Sequence, residues 1–358
     1  MTLSQTPKLK HRRVAKAIVD EIAAGSWKPG ERLPAELELA QRFDVSYMTM
    51  RQAVRNLVEQ GVIVRIKGKG TFVAQPASVE TRIGLPMTLL IPGVLQRIDP
   101  YYLPEVLEGF QEYMDERGRH ASLRSYRDAE TSGLEKGSAV ACLLFERPSL
   151  ESIETLRDSG YKVLAINRYS GRRLVPCVRI DDAAGVEMAV GHLASLGHER
   201  IGFIMGPRTN LDANERLRGF RVGVARYEIK RPSEAGEGFT EAAGYSAAKK
   251  LLSVANRPTA LVCASDLSAM GAVKAAHDCG LSVPRGLSIV GFGDFSVAEY
   301  TTPRLTTVRQ HRFDLGRAAA ASLIRLADGE MPEDVVVPAE IVFRESAIEV
   351  PNTIPSPI

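Results

Sequence analysis

Asp44-Val45-Ser46-Tyr47-Met48-Thr49-Met50-Arg51-Gln52-Ala53-Val54-Arg55-Asn56-Leu57-Val58-Glu59-Gln60-Gly61 is the stretch on which the reading of this chain turns. Asp44-Val45 leaves room only for a tight turn. Ser46 is a good N-cap, because its hydroxyl can accept a free backbone N–H of the first helical turn. Met50, Ala53, Val54, Leu57 and Val58 then recur as one apolar stripe, and Gly61 stops the helix. The other face presents Tyr47, Arg51 and Arg55 at i, i+4 and i+8, with Thr49 and Gln52 beside them. Donors near a helix N-terminus, where unpaired N–H groups and the positive end of the macrodipole also lie, suit phosphates and base edges in a major groove.

Outward from that helix, Val14, Ala17, Ile18 and Ile22 mark an earlier one, broken by Gly25 and by Trp27-Lys28-Pro29-Gly30. A short helix from about 35 to 43 packs Leu39, Ala40 and Phe43. On the far side, Val62 to Ile66 and Thr71 to Val73 read as two strands joined by Lys67-Gly68-Lys69-Gly70, a hairpin with lysines at its tip. Residues 1–75 carry 13 Lys and Arg against 7 Asp and Glu, on a chain of 358 residues whose net charge is +3, so the remainder is slightly acidic. A basic module on a near-neutral body fits a polyanion-binding head, and a merely solvated basic face on a common three-helix fragment fits as well.

The residues themselves narrow the choice. Gly25-Ser26-Trp27-Lys28-Pro29-Gly30-Glu31-Arg32-Leu33-Pro34-Ala35-Glu36, then Val45 to Ala53, then Gly68-Lys69-Gly70-Thr71-Phe72-Val73 resemble, in order, the gluconate-repressor (GntR) winged helix-turn-helix. The resemblance implies that Ser46, Thr49 and Arg51 contact operator DNA and that the wing from Lys67 through Gly68, Lys69, Gly70 and Thr71 enters the minor groove. Tyr47 and Gln52 share the exposed face. This chain departs from many members at Leu37 and at Tyr47, where Arg is frequent, so base preference does not carry over. For Arg51 the structural alternative is a salt bridge inside the module.

Residues 76–86, with two prolines and no apolar periodicity, read as a linker. Beyond them strands alternate with helices. Met87 to Ile91, Ala139 to Phe145, Val163 to Ile166, Ile201 to Ile204, Ala260 to Ala264 and Ser288 to Phe292 are strand-like, and Leu103 to Met114, Ala184 to Leu196 and Leu267 to Cys279 are helical. Such repetition implies an α/β fold with parallel sheets covered on both faces and a ligand site beyond the carboxyl ends of the strands. No apolar run is long enough to span a membrane, and the polar N-terminus leads to the expectation of a cytoplasmic protein. Cys142, Cys177, Cys263 and Cys279 form no metal-spaced pair, and Cys142 and Cys263 read as reduced core residues. His192 and His198 are wrongly spaced to share a helical face and read as structural. No nucleophile elbow, phosphate loop or dinucleotide fingerprint is present, so no enzyme, cofactor or metal is expected.

The body also carries a resemblance. Val178 to Asp182, His192 to Ile201, Arg216 to Phe220, Ala264-Ser265-Asp266, Gly280 to Pro284 and Pro303 to Gln310 are similar to the effector domain of the lactose-repressor (LacI) family over residues 87–347. It implies a periplasmic-binding-protein-like fold of two lobes with the ligand between them, and a chain that crosses between lobes near Pro176 to Asp181, Thr306 to Val308 and Asp328 to Glu333. It nominates Arg216, Ser265, Asp266, Gln310 and Asn167 as effector contacts, and places Tyr101 and Tyr102 at the pocket mouth. The alternatives are core filling for the tyrosines and an interlobe salt bridge for Arg216. Gly293 stands where many relatives carry a sugar-binding Asp, which leaves open whether Asp294 substitutes. The organisation is therefore a winged helix at 7–75, a linker at 76–86 and an effector-binding and dimerisation domain at 87–348. The pairing resembles the arabinose-repressor type of regulator: a homodimer on operator DNA, released by a sugar or sugar-derived inducer. A nucleoside-like or other metabolite, a corepressor and an activator remain alternatives, with a solute-binding protein further off.

Overall fold

The computed structural model describes residues 7–23, 25–28, 30–59, 62–66, 70–73, 85–91, 101–125, 134–144, 148–167 and 175–350. The chain divides into two compact units, Met1–Ile83 and Gly84–Ile358. The first holds helices α1 (Pro7–Ala23), α2 (Glu36–Arg42) and α3 (Tyr47–Glu59) and an antiparallel hairpin of β1 (Ile63–Ile66) and β2 (Gly70–Val73). Ile18, Trp27, Leu39, Met50, Ala53, Val54, Leu57, Ile63 and Val73 form its core. Val58, expected in the inward stripe, is 38% exposed. It flanks a stripe that its neighbours already fill. The segment before α2 joins the hairpin from outside, with Leu33 N donating to Thr71 O and Val73 N to Glu31 O.

The second unit contains two sheets. One runs in the order β13 (Val335–Val337), β7 (Cys177–Ile180), β6 (Lys162–Ile166), β5 (Ala139–Leu143), β3 (Met87–Ile91), β4 (Ser122–Ser125), parallel throughout. Its helices are α4 (Leu103–Glu116), α5 (Pro148–Asp158) and α10 (Arg312–Ala327). The other runs β14 (Ala339–Val342), β12 (Thr306–Gln310), β11 (Ser288–Gly293), β10 (Ala260–Cys263), β8 (Ile201–Ile204), β9 (Ser233–Ala235), parallel except for β14, with α6 (Asp182–Ser195), α7 (Leu211–Arg226), α8 (Glu241–Leu252) and α9 (Asp266–Asp278). The apolar runs read as central strands are buried along their whole length in β3, β5, β8, β10 and β11, as helices on both faces require.

The chain passes between lobes at Asp181, His311 and Pro338, where elements of one sheet give way to elements of the other. The first crossing lies where the sequence placed it. The second falls a few residues later, because all of β12 belongs to the second sheet. The third is displaced from Asp328–Glu333 because the chain first lays β13 beside β7 and only then pairs β14 with β12.

Glycines let helices touch backbone to backbone. A Cβ on Gly109 of α4 would lie 2.0 Å from Phe313 O of α10, and one on Gly316 of α10 would lie 2.1 Å from Val106 O of α4. Gly244 and Gly271 do the same between α8 and α9. At the far end of α10, Leu85 N donates to Ala327 O at 3.2 Å, fixing the first described residue of this unit.

The C-terminal segment is strapped to the second lobe through buried His198. Its ring bonds Thr259 Oγ1 (2.9 Å), Ser288 Oγ (3.1 Å) and Ile348 O (3.0 Å), and burial lowers its pKa. The unfolded chain therefore takes up a proton near its ordinary pKa of about 6.5 that the folded chain resists. The stability due to His198 is complete above that pH and is lost as pH falls below it. In urea unfolding, the advantage of wild type over His198→Gln should shrink between pH 7.5 and 5.5, and a pH-independent difference would refute this assignment.

Candidate functional site

The strand order reverses beside β3 in one lobe and beside β8 in the other, and such reversals open crevices at the carboxyl ends of parallel strands. Arg216 of α7, the helix after β8, sits at the second crevice. Its Nη1 donates to Ala264 O just past β10 at 2.7 Å, and its Nε donates to Asp182 Oδ1 at the start of α6 at 2.9 Å. The guanidinium lies 4.2 Å from the centroid of Phe292 and 5.3 Å from that of Phe239. Gln310, the last residue of β12, donates to the same Asp182 oxygen at 3.2 Å. Arg216 is thus in an ion pair, and the pair lies within one lobe. Burial pushes the Asp182 carboxyl up, while Arg216 pulls it down.

The first lobe contributes Tyr102 and Asn167. Asn167 follows β6 with a φ of 70°, a left-handed conformation that Asn tolerates. Its side chain accepts from Tyr102 Oη at 2.6 Å and donates to Leu144 O at 2.9 Å. Burial holds the Tyr102 hydroxyl well above the usual tyrosine range, and the carboxylates of Asp212 and Asp182 in the opposite lobe add to that. Tyr102 with Asn167 in the first lobe, and Arg216 with Gln310 on Asp182 in the second, are the two hydrogen-bonded halves of a polar cluster at the crevice.

Tyr101 stacks on Phe295 across the lobes, with centroids 5.3 Å apart. Ser265 is the N-cap of α9; its hydroxyl donates to Phe239 O at 2.6 Å and accepts from Ser268 N at 3.1 Å. Asp266 is fully buried, accepting from Thr307 Oγ1 (2.5 Å) and Phe295 N (2.7 Å), and burial pushes its carboxyl up to about 6. Both residues thus have hydrogen-bonded polar atoms within the second lobe. Asp294 has both carboxylate oxygens engaged, by Arg309 Nε and Arg344 Nη2, each at 2.7 Å. A Cβ on Gly293 would meet the Phe295 ring at 2.9 Å, so that ring takes the space a side chain would need.

Sequence reasoning missed Asp182, Asp212, Phe239, Phe292 and Arg312 as parts of this region. Arg312 opens α10 immediately after the crossing at His311. It makes two bonds to Glu105 of α4, at 2.8 and 3.1 Å, donates to Gly293 O in the other lobe and lies 4.9 Å from the Phe295 centroid.

In the first unit, Thr49 N donates to Ser46 Oγ at 3.3 Å, the cap expected of Ser46, and the two hydroxyls lie 2.8 Å apart. Tyr47, Arg51 and Gln52 are exposed along α3, and Gln52 donates to Asn56. Gly70 and Thr71 open β2, whereas Lys67, Gly68 and Lys69 lie outside the described residues. No described helix is long and apolar enough to cross a membrane.

The model of the bacterial regulatory proteins of the gntR family matches residues 10–73, and that of the periplasmic binding protein-like domain matches 190–347. The arabinose metabolism transcriptional repressor of Geobacillus stearothermophilus is 30% identical over 95% of this chain and 98% of its own. A LacI-family regulator from Mycobacterium smegmatis, 28% identical, superposes with a TM-score of 0.63 over 74% of this chain and all of that one. The regulator CelR in complex with cellobiose, 25% identical, does so with a TM-score of 0.65 over 84% of this chain and 91% of its own. A winged helix-turn-helix ahead of a two-lobed ligand-binding body defines a ligand-responsive, DNA-binding transcriptional repressor. The chain belongs to the family of regulators that join a GntR-type DNA-binding region to a LacI-type periplasmic-binding-protein-like domain.

Arg312 is 3% exposed and its partner Glu105 half-exposed, so Arg312→Met strands a carbonyl rather than a buried charge. We expect a loss of about 1–3 kcal/mol in urea unfolding and a larger radius of gyration by solution scattering. An unchanged urea midpoint would show the guanidinium to be dispensable.

Proposed function

We propose that this regulator represses its target genes as a homodimer in the cytoplasm and leaves its operator when a sugar or sugar derivative enters the cleft between its lobes. The polar groups carry the reading: Arg216 and Gln310 in one lobe and Tyr102 and Asn167 in the other, with Tyr101 stacked on Phe295 across the crevice, are the hydroxyl-binding groups and aromatic faces a carbohydrate would use. Ser265, Asp266 and Asp294 keep that frame in place. The relatives named for arabinose metabolism and for a cellobiose complex support a carbohydrate. On the DNA side, Ser46, Tyr47, Thr49, Arg51 and Gln52 on α3 face the major groove, and the wing from Lys67 to Thr71 reaches the adjoining minor groove. Two copies related by two-fold symmetry fit a near-palindromic operator. Cleft closure shifts one lobe against its dimer mate, with a coupling on the order of 1–3 kcal/mol, or roughly 5- to 150-fold in operator affinity.

Pentoses, hexoses and disaccharides screened by thermal shift, followed by gel-shift binding to DNA upstream of the chain's own gene, test the reading. A sugar that stabilises the protein should release the DNA; a sugar that tightens binding would convert the reading to a corepressor. Arg216→Ala should keep operator affinity and lose the sugar response. Arg51→Ala should weaken operator binding by about 1–3 kcal/mol with the fold intact; wild-type affinity there would return Arg51 to a structural role.

A further inference from the structure

Helix α3 places an apolar side chain at the centre of its outward face. Met50, Ala53, Val54 and Leu57 point into the core of the first unit, and at about 3.6 residues per turn Met48 lies on the opposite side of the helix. It is 67% exposed. Arg51, Gln52 and Arg55, at i+3, i+4 and i+7, share its face. Its thioether is therefore in line with the groups already given to the operator. Tyr47, also exposed, precedes it. The hydroxyls of that first turn are engaged with the helix end: Thr49 N donates to Ser46 Oγ, and the two hydroxyls lie 2.8 Å apart. What the turn holds outward is a thioether and a phenol ring, one turn ahead of Arg51, the first arginine of the helix.

A methionine cannot pair with a phosphate, and to a base edge it offers only a weak acceptor. Among the groups that the bases present in the major groove, the 5-methyl of thymine is the apolar one, and the rest are hydrogen-bond donors and acceptors. Packed on those, a thioether would displace water and return no comparable hydrogen bond. Packed on a methyl, it gains contact and gives up nothing. We infer that Met48 is a specificity-determining residue that packs on the 5-methyl group of a thymine in each operator half-site, so that the first turn of α3 selects A·T pairs by apolar contact. The inference rests on the reading that α3 enters the major groove. One buried methyl is worth about four-fold in affinity, and a two-fold symmetric pair of contacts about fifteen-fold.

Deoxyuridine in place of thymine removes that methyl and keeps every hydrogen-bonding group of the base pair. An operator selected by the full-length protein from a random duplex pool is resynthesised with deoxyuridine at one thymine position of both half-sites at a time, and binding is measured by gel shift at fixed salt. One of these changes should weaken wild-type binding about fifteen-fold. Met48→Ala should bind the thymine operator more weakly and no longer distinguish it from the deoxyuridine form, while Met48→Leu should keep the distinction. Arg51→Ala should bind more weakly and still distinguish the two. An exposed helix position accepts alanine without loss of fold, and an unchanged thermal midpoint checks this. Wild-type affinity for every deoxyuridine operator overturns the inference while leaving α3 in the groove. A deoxyuridine penalty that survives in Met48→Ala gives the methyl to another side chain and overturns the role of Met48. If Met48→Ala and Arg51→Ala both bind the operator as wild type does, α3 does not face the DNA, and this inference falls with that reading.

Discussion

Arg312 is a cation almost without access to water, and the arrangement of the body depends on how it is satisfied. Burying a guanidinium is unfavourable unless a countercharge and acceptors surround it. Here they come from both lobes: Glu105 from the helix beside it, the Gly293 carbonyl and the face of Phe295 from across the crevice. Opening the lobes would therefore take from Arg312 the Gly293 carbonyl and the Phe295 face and leave it Glu105 alone. The same contact explains why residue 293 carries no side chain. Its φ of 134° belongs to a region that side chains avoid, and its carbonyl must reach Arg312 while Phe295 fills the space beside it.

How much of this could be read from the sequence depended on how local each signal was. The central strands announce themselves as unbroken apolar runs, as in Met87–Ile91 and Ile201–Ile204, because a strand covered on both faces has no polar alternation to confuse it. Edge strands such as Ser122–Ser125 and Ser233–Ala235 are short and polar, and only their neighbours make them strands. The third crossing was misplaced for a related reason. Val335–Val337 and Ala339–Val342 look alike in sequence, yet they pair in different sheets.

Side-chain roles were harder still. Asp181 and Asp182 are chemically identical and adjacent; the first caps α6 by accepting from Ala184 N, and the second takes Arg216 and Gln310. Which does which follows from the direction in which α6 leaves its strand. Asp294 was a reasonable candidate beside a glycine, but at a φ of 52° its carboxylate meets Arg309 and Arg344. Ser265 and Asp266, which their motif nominated as effector contacts, have polar atoms bound to Phe239, Phe295 and Thr307. The capping of α3 by Ser46, in contrast, involves only neighbours in the chain, and there sequence sufficed.

The bond from Leu85 to the end of α10 gives that helix a mechanical meaning. Its first residue is Arg312, at the junction of the lobes, and its last, Ala327, holds the chain where it arrives from the DNA-binding unit. At 1.5 Å per residue such a helix is roughly 24 Å long, so a tilt of about 5° at the Arg312 end would sweep the other end through about 2 Å. Backbone contact with α4 at Gly109 and Gly316 leaves little slack in which to absorb that motion. Helix α10 thus runs from the junction of the lobes to the carbonyl that holds Leu85, and in a rod of that length a small tilt at one end is a larger displacement at the other.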